Sequence, residues 1–300
     1  MTRRQPLPPC LLALAAILLW GTFAALAVRL RETPPLLLAG VSLLLGSLWG
    51  LPRLRRGHPP WRAVALGTYG LFAYHLALFL ALRMAPPVEA NLLNYLWPLL
   101  IVVLAPLYSR ARRLTWRHGL ASLLGFAGVA LLLTSGSARP AFARPDSTFW
   151  PSGGHLLAIA AAVIWATYSL GSARLGAGGV AATSAASAIS GVLALAAHLA
   201  LEPRFTFAGA DLPWLALMGL GPMGLAFVAW SAALERGDPR AIGLLSFLTP
   251  LLSTLLLAAT GGGRLTAAVG GALVLIVGGA LLGTWPVEVR KRRDSGGTRG

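Results

Sequence analysis

ALRMAPPVEANLLNYLWPLL, residues 81 to 100, aligns without a gap on ALERGDPRAIGLLSFLTPLL, residues 233 to 252. Nine positions are identical, among them Pro87 with Pro239 and Pro98 with Pro250. The match continues outward. AAILLWGTFAALAVRL at 15 to 30 falls on AAAVIWATYSLGSARL at 160 to 175, setting Trp20 on Trp165, Thr22 on Thr167, Phe23 on Tyr168 and Arg29 on Arg174. LTWRHGLASL at 114 to 123 answers LTAAVGGALV at 265 to 274. The chain therefore states one unit twice, and each unit carries five apolar spans. An odd number of spans makes the second unit enter the bilayer from the opposite side, so the halves are antiparallel about an axis in the membrane plane. That is the architecture of a transporter.

Composition agrees. With 56% hydrophobic and 11% charged residues in 300, there is too little polar surface to wet a globule. Runs of about 20 apolar residues predict ten helices near 10 to 29, 34 to 51, 62 to 82, 87 to 108, 116 to 135, 154 to 173, 180 to 200, 212 to 233, 239 to 259 and 265 to 285. Alternation with period 2 is absent, which excludes a membrane barrel and leaves an all-α polytopic protein.

A net charge of +16 suggests nucleic acid until the basic residues are sorted by loop. Alternate loops from the N-terminus hold 18 of the 25 Lys and Arg, including Arg53, Arg55, Arg56 and Arg62, Arg110, Arg112, Arg113 and Arg117, and the cluster Arg290 to Arg293. The positive-inside rule places both termini in the cytoplasm. The basic tail, 286 to 300, reads as a topology signal or an anionic-lipid contact rather than a nucleic-acid site. Arg3 and Arg4 ahead of an apolar run ending in Ala25-Leu26-Ala27 also fit a signal peptide, but cleavage there would delete Trp20 and Thr22, each half of a matched pair. A lone cysteine, Cys10, excludes an intramolecular disulfide.

The repeats occupy residues 1 to 135 and 154 to 285, joined by a Gly, Pro, Ser and Arg-rich external linker over 136 to 153. Asp238-Pro239 reads as an N-cap with proline at the first helical position, and Pro86-Pro87 opens the fourth span in the matching way. Gly119, Ser122, Gly125 and Gly128 in the fifth span, with Gly271, Gly278 and Gly279 in the tenth, predict close helix packing.

Several polar and aromatic groups sit where hydrocarbon should be. Asn91, Asn94 and Pro98 share a face of the fourth span, bordered by Tyr95 and Trp97. An unpartnered amide in lipid is expensive, so this face points inward, either to bridge helices or to line a wet cavity. Pro98 and Pro250 lack an N–H and deprive the carbonyls of Asn94 and Ser246 of their usual donor. Interrupted helices at equivalent positions of inverted halves point to a midplane substrate site. Of ten tryptophans, Trp49, Trp61, Trp116, Trp150, Trp214, Trp230 and Trp285 read as headgroup anchors near helix ends. Trp20, Trp97 and Trp165 fall mid-span and should face inward. Among five histidines only His75 lies deep in a span, beside Tyr74 and one turn before Phe79. It reads equally as a helix bridge or a proton carrier. No Asp or Glu occupies a span centre, Glu89, Asp211 and Glu235 being terminal.

Ten spans, a five-plus-five repeat and paired prolines in the fourth and ninth spans resemble the drug/metabolite transporter (DMT) superfamily in its EamA-like branch. NYLWP at Asn94 to Pro98, with Tyr74-His75 upstream, is similar to the YddG-type aromatic amino acid exporters. The resemblance implies an inner-membrane carrier that exports aromatic and other neutral amino acids through a cavity lined by spans 1, 3, 4, 6, 8 and 9. It implies a site including Tyr74, His75, Tyr95 and Trp97, with Trp165 opposite. One departure stands out. The family often has Gly-Glu before the Arg-Leu-Thr that precedes spans 5 and 10, where this chain has Ala111-Arg112 and Gly262-Gly263.

The expected substrate contacts are Trp20, Tyr74, His75, Phe79, Asn91, Asn94, Tyr95, Trp97, Trp165, Tyr168 and Ser246, with Pro98 and Pro250 as kinks. With no buried carboxylate, the expected mechanism is facilitated alternating access, proton coupling through His75 being the other option. The alternative is a drug/metabolite exporter of the same superfamily for another substrate, a lipophilic cation or other small metabolite and proton-coupled or not; the cation pump ranks lower for want of an acidic partner. An intramembrane enzyme ranks lower still, because neither a nucleophile–base pair nor a metal-ligand cluster is evident. No cofactor, metal, nucleic acid or obligate protein partner is called for.

Overall fold

The computed structural model describes residues 7–55, 57–109, 114–135, 153–175, 179–259 and 265–284. The described elements are helical, and ten of them span the membrane: α1 (Pro9–Arg29), α2 (Pro35–Leu54), α3 (Trp61–Met84), α4 (Glu89–Tyr108), α5 (Trp116–Thr134), α6 (Gly153–Leu175), α7 (Gly179–Leu201), α8 (Gly209–Arg236), α9 (Pro239–Leu256) and the shorter α10 (Ala267–Gly283). Proline opens several of them. Pro9, Pro35, Pro87 and Pro239 sit in the first turn, where the missing N–H would have no helical partner anyway. Asp238 caps the ninth span as its sequence implies, its carboxylate accepting the Arg240 N–H at 3.0 Å. The linker as far as residue 152, the C-terminal tail, Trp150, Trp285, Ala111-Arg112 and Gly262-Gly263 lie outside the described residues, and Gly153, expected to end the linker, opens α6.

Helix pairing makes the inverted repeat visible. α6 packs against α3 and α4, and α1 packs in the same way against α8 and α9. Exchanging α1 with α6, α3 with α8 and α4 with α9 interconverts the two groups. The remaining helices pair with their own counterparts, α2 along α7 and α5 along α10. Equivalent close approaches seal both groups. A Cβ on Gly154 of α6 would lie 2.7 Å from the Ala85 nitrogen, and one on Gly237 would lie 2.8 Å from the Pro9 side chain. Lipid offers helices no hydrophobic reward for associating, so such contact is what holds them. Large aliphatic residues face outward instead, Leu107 and Leu199 among them.

The α5–α10 glycines divide. Gly128, Gly271 and Gly279 press on Ile276, Leu131 and Ala121, whereas Gly119 and Gly278 have nothing within 4 Å of an added Cβ. Gly125 serves a third helix, its face filled by the Phe247 ring of α9.

Every span near the centre of the bundle except α6 is irregular. α4 runs as Pro87–Asn94 and Trp97–Tyr108, and α9 as Pro239–Leu245 and Leu248–Ala259, broken at equivalent points by Pro98 and Pro250. The Ser246 carbonyl does not stay free: the Thr249 N–H closes on it at 3.0 Å in a tighter turn. Wide π-type turns occupy Tyr69–Ala73 of α3 and Gly221–Leu225 of α8, again at equivalent positions. α1 divides at Thr22 into Pro9–Gly21 and Phe23–Arg29, while its counterpart α6 runs unbroken.

Tryptophan depth corrects one expectation. Trp49, Trp61, Trp116 and Trp214 are exposed as headgroup anchors should be, but Trp230 is 0% exposed. The eighth span continues to Arg236, and a ring that counts as terminal along the sequence packs against the mid-span Trp20 and Trp97. Its indole N–H finds Ser169 Oγ on α6 at 3.3 Å.

Candidate functional site

A cavity of about 260 Å³ opens in the middle of the bundle, lined by α1, α3, α4, α6, α8 and α9 and touched by Leu133 of α5. That volume lies just below the usual range for small-molecule sites, enough for one compact ligand. Its lining takes the C-terminal part of three parallel spans, from Trp20 to Ala27 on α1, from Tyr74 to Leu82 on α3 and from Thr249 to Thr254 on α9, and the N-terminal part of the antiparallel α4, from Asn91 to Trp97. Those are the ends far from the N-terminus. The cavity therefore occupies the distal half of the bundle and stops at mid-depth.

Its floor is aromatic. Trp20 and Trp165 are repeat counterparts, and their rings lie 5.7 Å apart edge to face, so they flank the pseudo-two-fold axis. Trp97 sits 6.1 Å from Trp165, and Trp230 plugs the space beneath, 5.2 Å from Trp20 and 5.6 Å from Trp97. Edge-to-face pairs of this kind contribute about 0.5–1.5 kcal/mol each beyond burial. Together they close the proximal half.

Polar groups in this wall are sparse and incompletely paired. Among the described residues the lining holds no Asp, Glu, Lys or Arg. His75 donates Nδ1–H to the Leu71 carbonyl inside the π-type turn. Since a carbonyl only accepts, the neutral ring keeps an unprotonated Nε2. Asn94 donates Nδ2–H to the Tyr74 hydroxyl at 3.3 Å, while its Oδ1 has no partner among the described residues. Trp165 Nε1 and Thr249 Oγ1 are orphaned in the same way. Native interiors rarely leave such groups unmade; these three surround the cavity, while the other buried orphans among the described residues, on Ser42, Thr68, Ser184 and Ser190, lie outside its lining. Trp20 differs, its N–H donating to the Pro222 carbonyl of the α8 turn at 3.1 Å.

The structure gathers Trp20, Tyr74, His75, Phe79, Asn91, Asn94, Tyr95, Trp97 and Trp165 around this cavity, with Pro250. It leaves out three residues that the sequence nominates. Tyr168 is buried behind the wall, its ring against Gly70 and its hydroxyl 3.2 Å from that of Ser231. Ser246 turns its hydroxyl back to the Gly243 carbonyl, a bond local to the helix break. Pro98 lies buried toward Gly243 rather than in the cavity. Sequence reasoning missed Phe23, Met223, Phe227, Thr249 and Ser253, which also line it. The repeat carried a signal for three of them, Phe23 being the counterpart of Tyr168. Phe227 is the counterpart of His75 and Thr249 that of Trp97 in the alignment of the halves.

The EamA-like transporter family model matches twice, over residues 7–134 and 152–285. The chain belongs to that family. Within the EamA-like proteins it is 39% identical to the aromatic amino acid exporter YddG of Ancylobacter novellus over 267 residues, 84% of this chain and 88% of that one. It is 26% identical to the Escherichia coli protein of the same name over 268 residues, 86% and 89% of the two chains. A solved crystal structure 36% identical to it superposes with a TM-score of 0.83, covering 92% of this chain and 96% of the other. An EamA-like fold thus accounts for the chain from end to end of its helices, and this family member is a multi-pass membrane transporter of a small molecule.

Proposed function

We propose that the protein exports aromatic and other neutral amino acids across the plasma (inner) membrane by alternating access, driven by the substrate gradient. One observation carries the reading: a midplane cavity, floored by indoles and free of formal charge, retains unpaired neutral donors and acceptors. Flat apolar side chains stack on such a floor. A zwitterion is net neutral, so its two charged ends can be met by uncharged dipoles without a buried counter-ion. A lipophilic cation would want a carboxylate, which the lining lacks. The names of the relatives support the substrate class.

The basic residues put both termini in the cytoplasm, so the cavity faces outward. In this reading the repeats are residues 1–135 and 154–285, with an external linker at 136–153 and a cytoplasmic tail at 286–300. The group α3, α4, α6 rocks against the group α1, α8, α9, and the breaks at Pro98 and Pro250 serve as hinges. Trp20, Tyr74, His75, Phe79, Asn91, Asn94, Tyr95, Trp97 and Trp165 contact the substrate. No chemistry is performed on it, and the protein is not an enzyme.

Counterflow of labelled tryptophan into proteoliposomes tests this, with threonine and methionine as competitors and Trp97→Ala as the variant. Uptake that needs the protein, is strongest for aromatics and falls at least tenfold in the variant supports the reading. A folded protein that moves no neutral amino acid refutes it.

A further inference from the structure

The cavity samples the two broken helices unequally. On α4 it reaches Asn91, Asn94, Tyr95 and Trp97, around the C-terminal end of the half-helix Pro87–Asn94. On α9 it reaches Thr249, Pro250, Ser253 and Thr254, the first turns of the half-helix Leu248–Ala259. The near half of α9, Pro239–Leu245, contributes nothing to the lining. One wall thus presents a helix C-terminus, with partial negative charge, and another presents a helix N-terminus, with partial positive charge.

Side chains agree with these poles. Thr249 departs from the habit of Thr22, Thr134, Thr167, Thr183 and Thr254, which donate back to a carbonyl three or four residues earlier; Thr68, just before the α3 π-type turn and outside the cavity lining, is unpartnered too among the described residues. At Thr249 no such bond forms: its N–H reaches the Ser246 carbonyl at the helix break, but its Oγ1 has no partner among the described residues. Ser253 lies one turn further on, on the same face. Both are hydroxyl donors. Opposite in character, Asn94 is 5% exposed with its Oδ1 unpartnered, an acceptor beside the negative helix end.

We propose that the cavity reads a zwitterion in one orientation, the carboxylate on the Thr249 and Ser253 hydroxyls at the start of the second α9 half-helix, the ammonium on Asn91 and Asn94 at the end of the first α4 half-helix. The inference rests on the amino acid reading above and adds to it the residues that recognise each charged group. Substrates carrying both charges are held, and amines or acids carrying one are not. Thr249 and Ser253 set the preference for a carboxylate; Asn91 and Asn94 set that for an ammonium.

The test is competition against labelled tryptophan bound to detergent-purified protein, with tryptophan, tryptamine and indole-3-propionate as competitors. Wild type should favour tryptophan over both analogues by about tenfold or more, the scale of one charge-assisted hydrogen bond. Thr249→Val and Ser253→Ala should each weaken tryptophan and indolepropionate about tenfold and leave tryptamine within twofold. Asn94→Leu should show the reverse pattern. Ser253→Ala is the milder change and is read first, with a monodisperse elution profile as the check on folding. Equal weakening of all three competitors, or none, overturns the orientation while tryptophan binding by wild type preserves the amino acid reading. Absence of tryptophan binding by wild type removes both.

Discussion

Trp20 and Trp165 occupy equivalent positions in the two halves, yet replacing each by phenylalanine should change stability unequally. Trp20 Nε1–H donates to the Pro222 carbonyl at 3.1 Å, whereas Trp165 Nε1 is buried without a partner among the described residues. Removing a satisfied donor inside a membrane bundle forfeits about 1 kcal/mol. The smaller ring forfeits about 1 kcal/mol more in contacts with its aromatic neighbours. Trp20→Phe therefore costs about 2 kcal/mol. Trp165→Phe loses similar contacts but also removes a stranded donor whose burial costs about 1–3 kcal/mol, so it is neutral or mildly stabilising. At about 2 °C per kcal/mol for a chain of this size, the two variants should differ in melting temperature by about 4–8 °C. Thermal denaturation of the detergent-purified proteins, without substrate, measures this. Equal shifts for both would mean that the two indoles are equally bonded and that the asymmetry has no energetic content. Saturating tryptophan should then raise the melting point of Trp20→Phe by more than that of Trp165→Phe.

Three further outcomes follow from particular contacts. Gly154→Ala should lower stability by about 1–3 kcal/mol, since its Cβ would meet backbone atoms of Met84 and Ala85 at 2.7 Å; Gly119→Ala, in open space within a helix, should raise it by about 0.5–1 kcal/mol, and chemical denaturation that ranks them otherwise refutes the packing account. Glu202 is 1% exposed at its side chain and accepts the N–H groups of Leu36 and Leu37 as well as lying 3.0 Å from His198 Nδ1. Glu202→Gln should cost about 2–4 kcal/mol by weakening a buried charge-assisted cap, visible as a lower denaturation midpoint with tryptophan affinity unchanged. For His75, whose Nδ1 is tied to Leu71, an inward or outward pH gradient should leave counterflow within twofold. Acceleration by a gradient that disappears only in His75→Ala would establish proton coupling instead.

Fold and candidate site were legible to different depths. Two features were plain in one dimension because each is a property of the chain itself: hydropathy sets span length through bilayer thickness, and the internal alignment sets the inverted symmetry. Hence Pro98 with Pro250, and Trp20 with Trp165, announced both the helix breaks and the midplane floor. The π-type turns at Tyr69–Ala73 and Gly221–Leu225 were not announced, apart from Pro222, because a wide turn survives only where a neighbour satisfies it. Their effect reaches the site, since they supply the carbonyls that hold His75 and Trp20.

What the amino acid order determined by itself was the membrane, the ten helices, the duplication and the set of aromatic and amide side chains that lipid would not tolerate. What the tertiary structure alone decided was which of two nearly equivalent half-sites faces the cavity. An internal repeat is symmetric in sequence, but a carrier open to one side is not. Tyr168 falls behind the wall while its counterpart Phe23 lines it, and Thr249 meets the cavity while Ser246 does not. That choice depends on how the two groups of helices pack against each other, which no local pattern encodes, and in the proposed mechanism it is the tilt between them that changes.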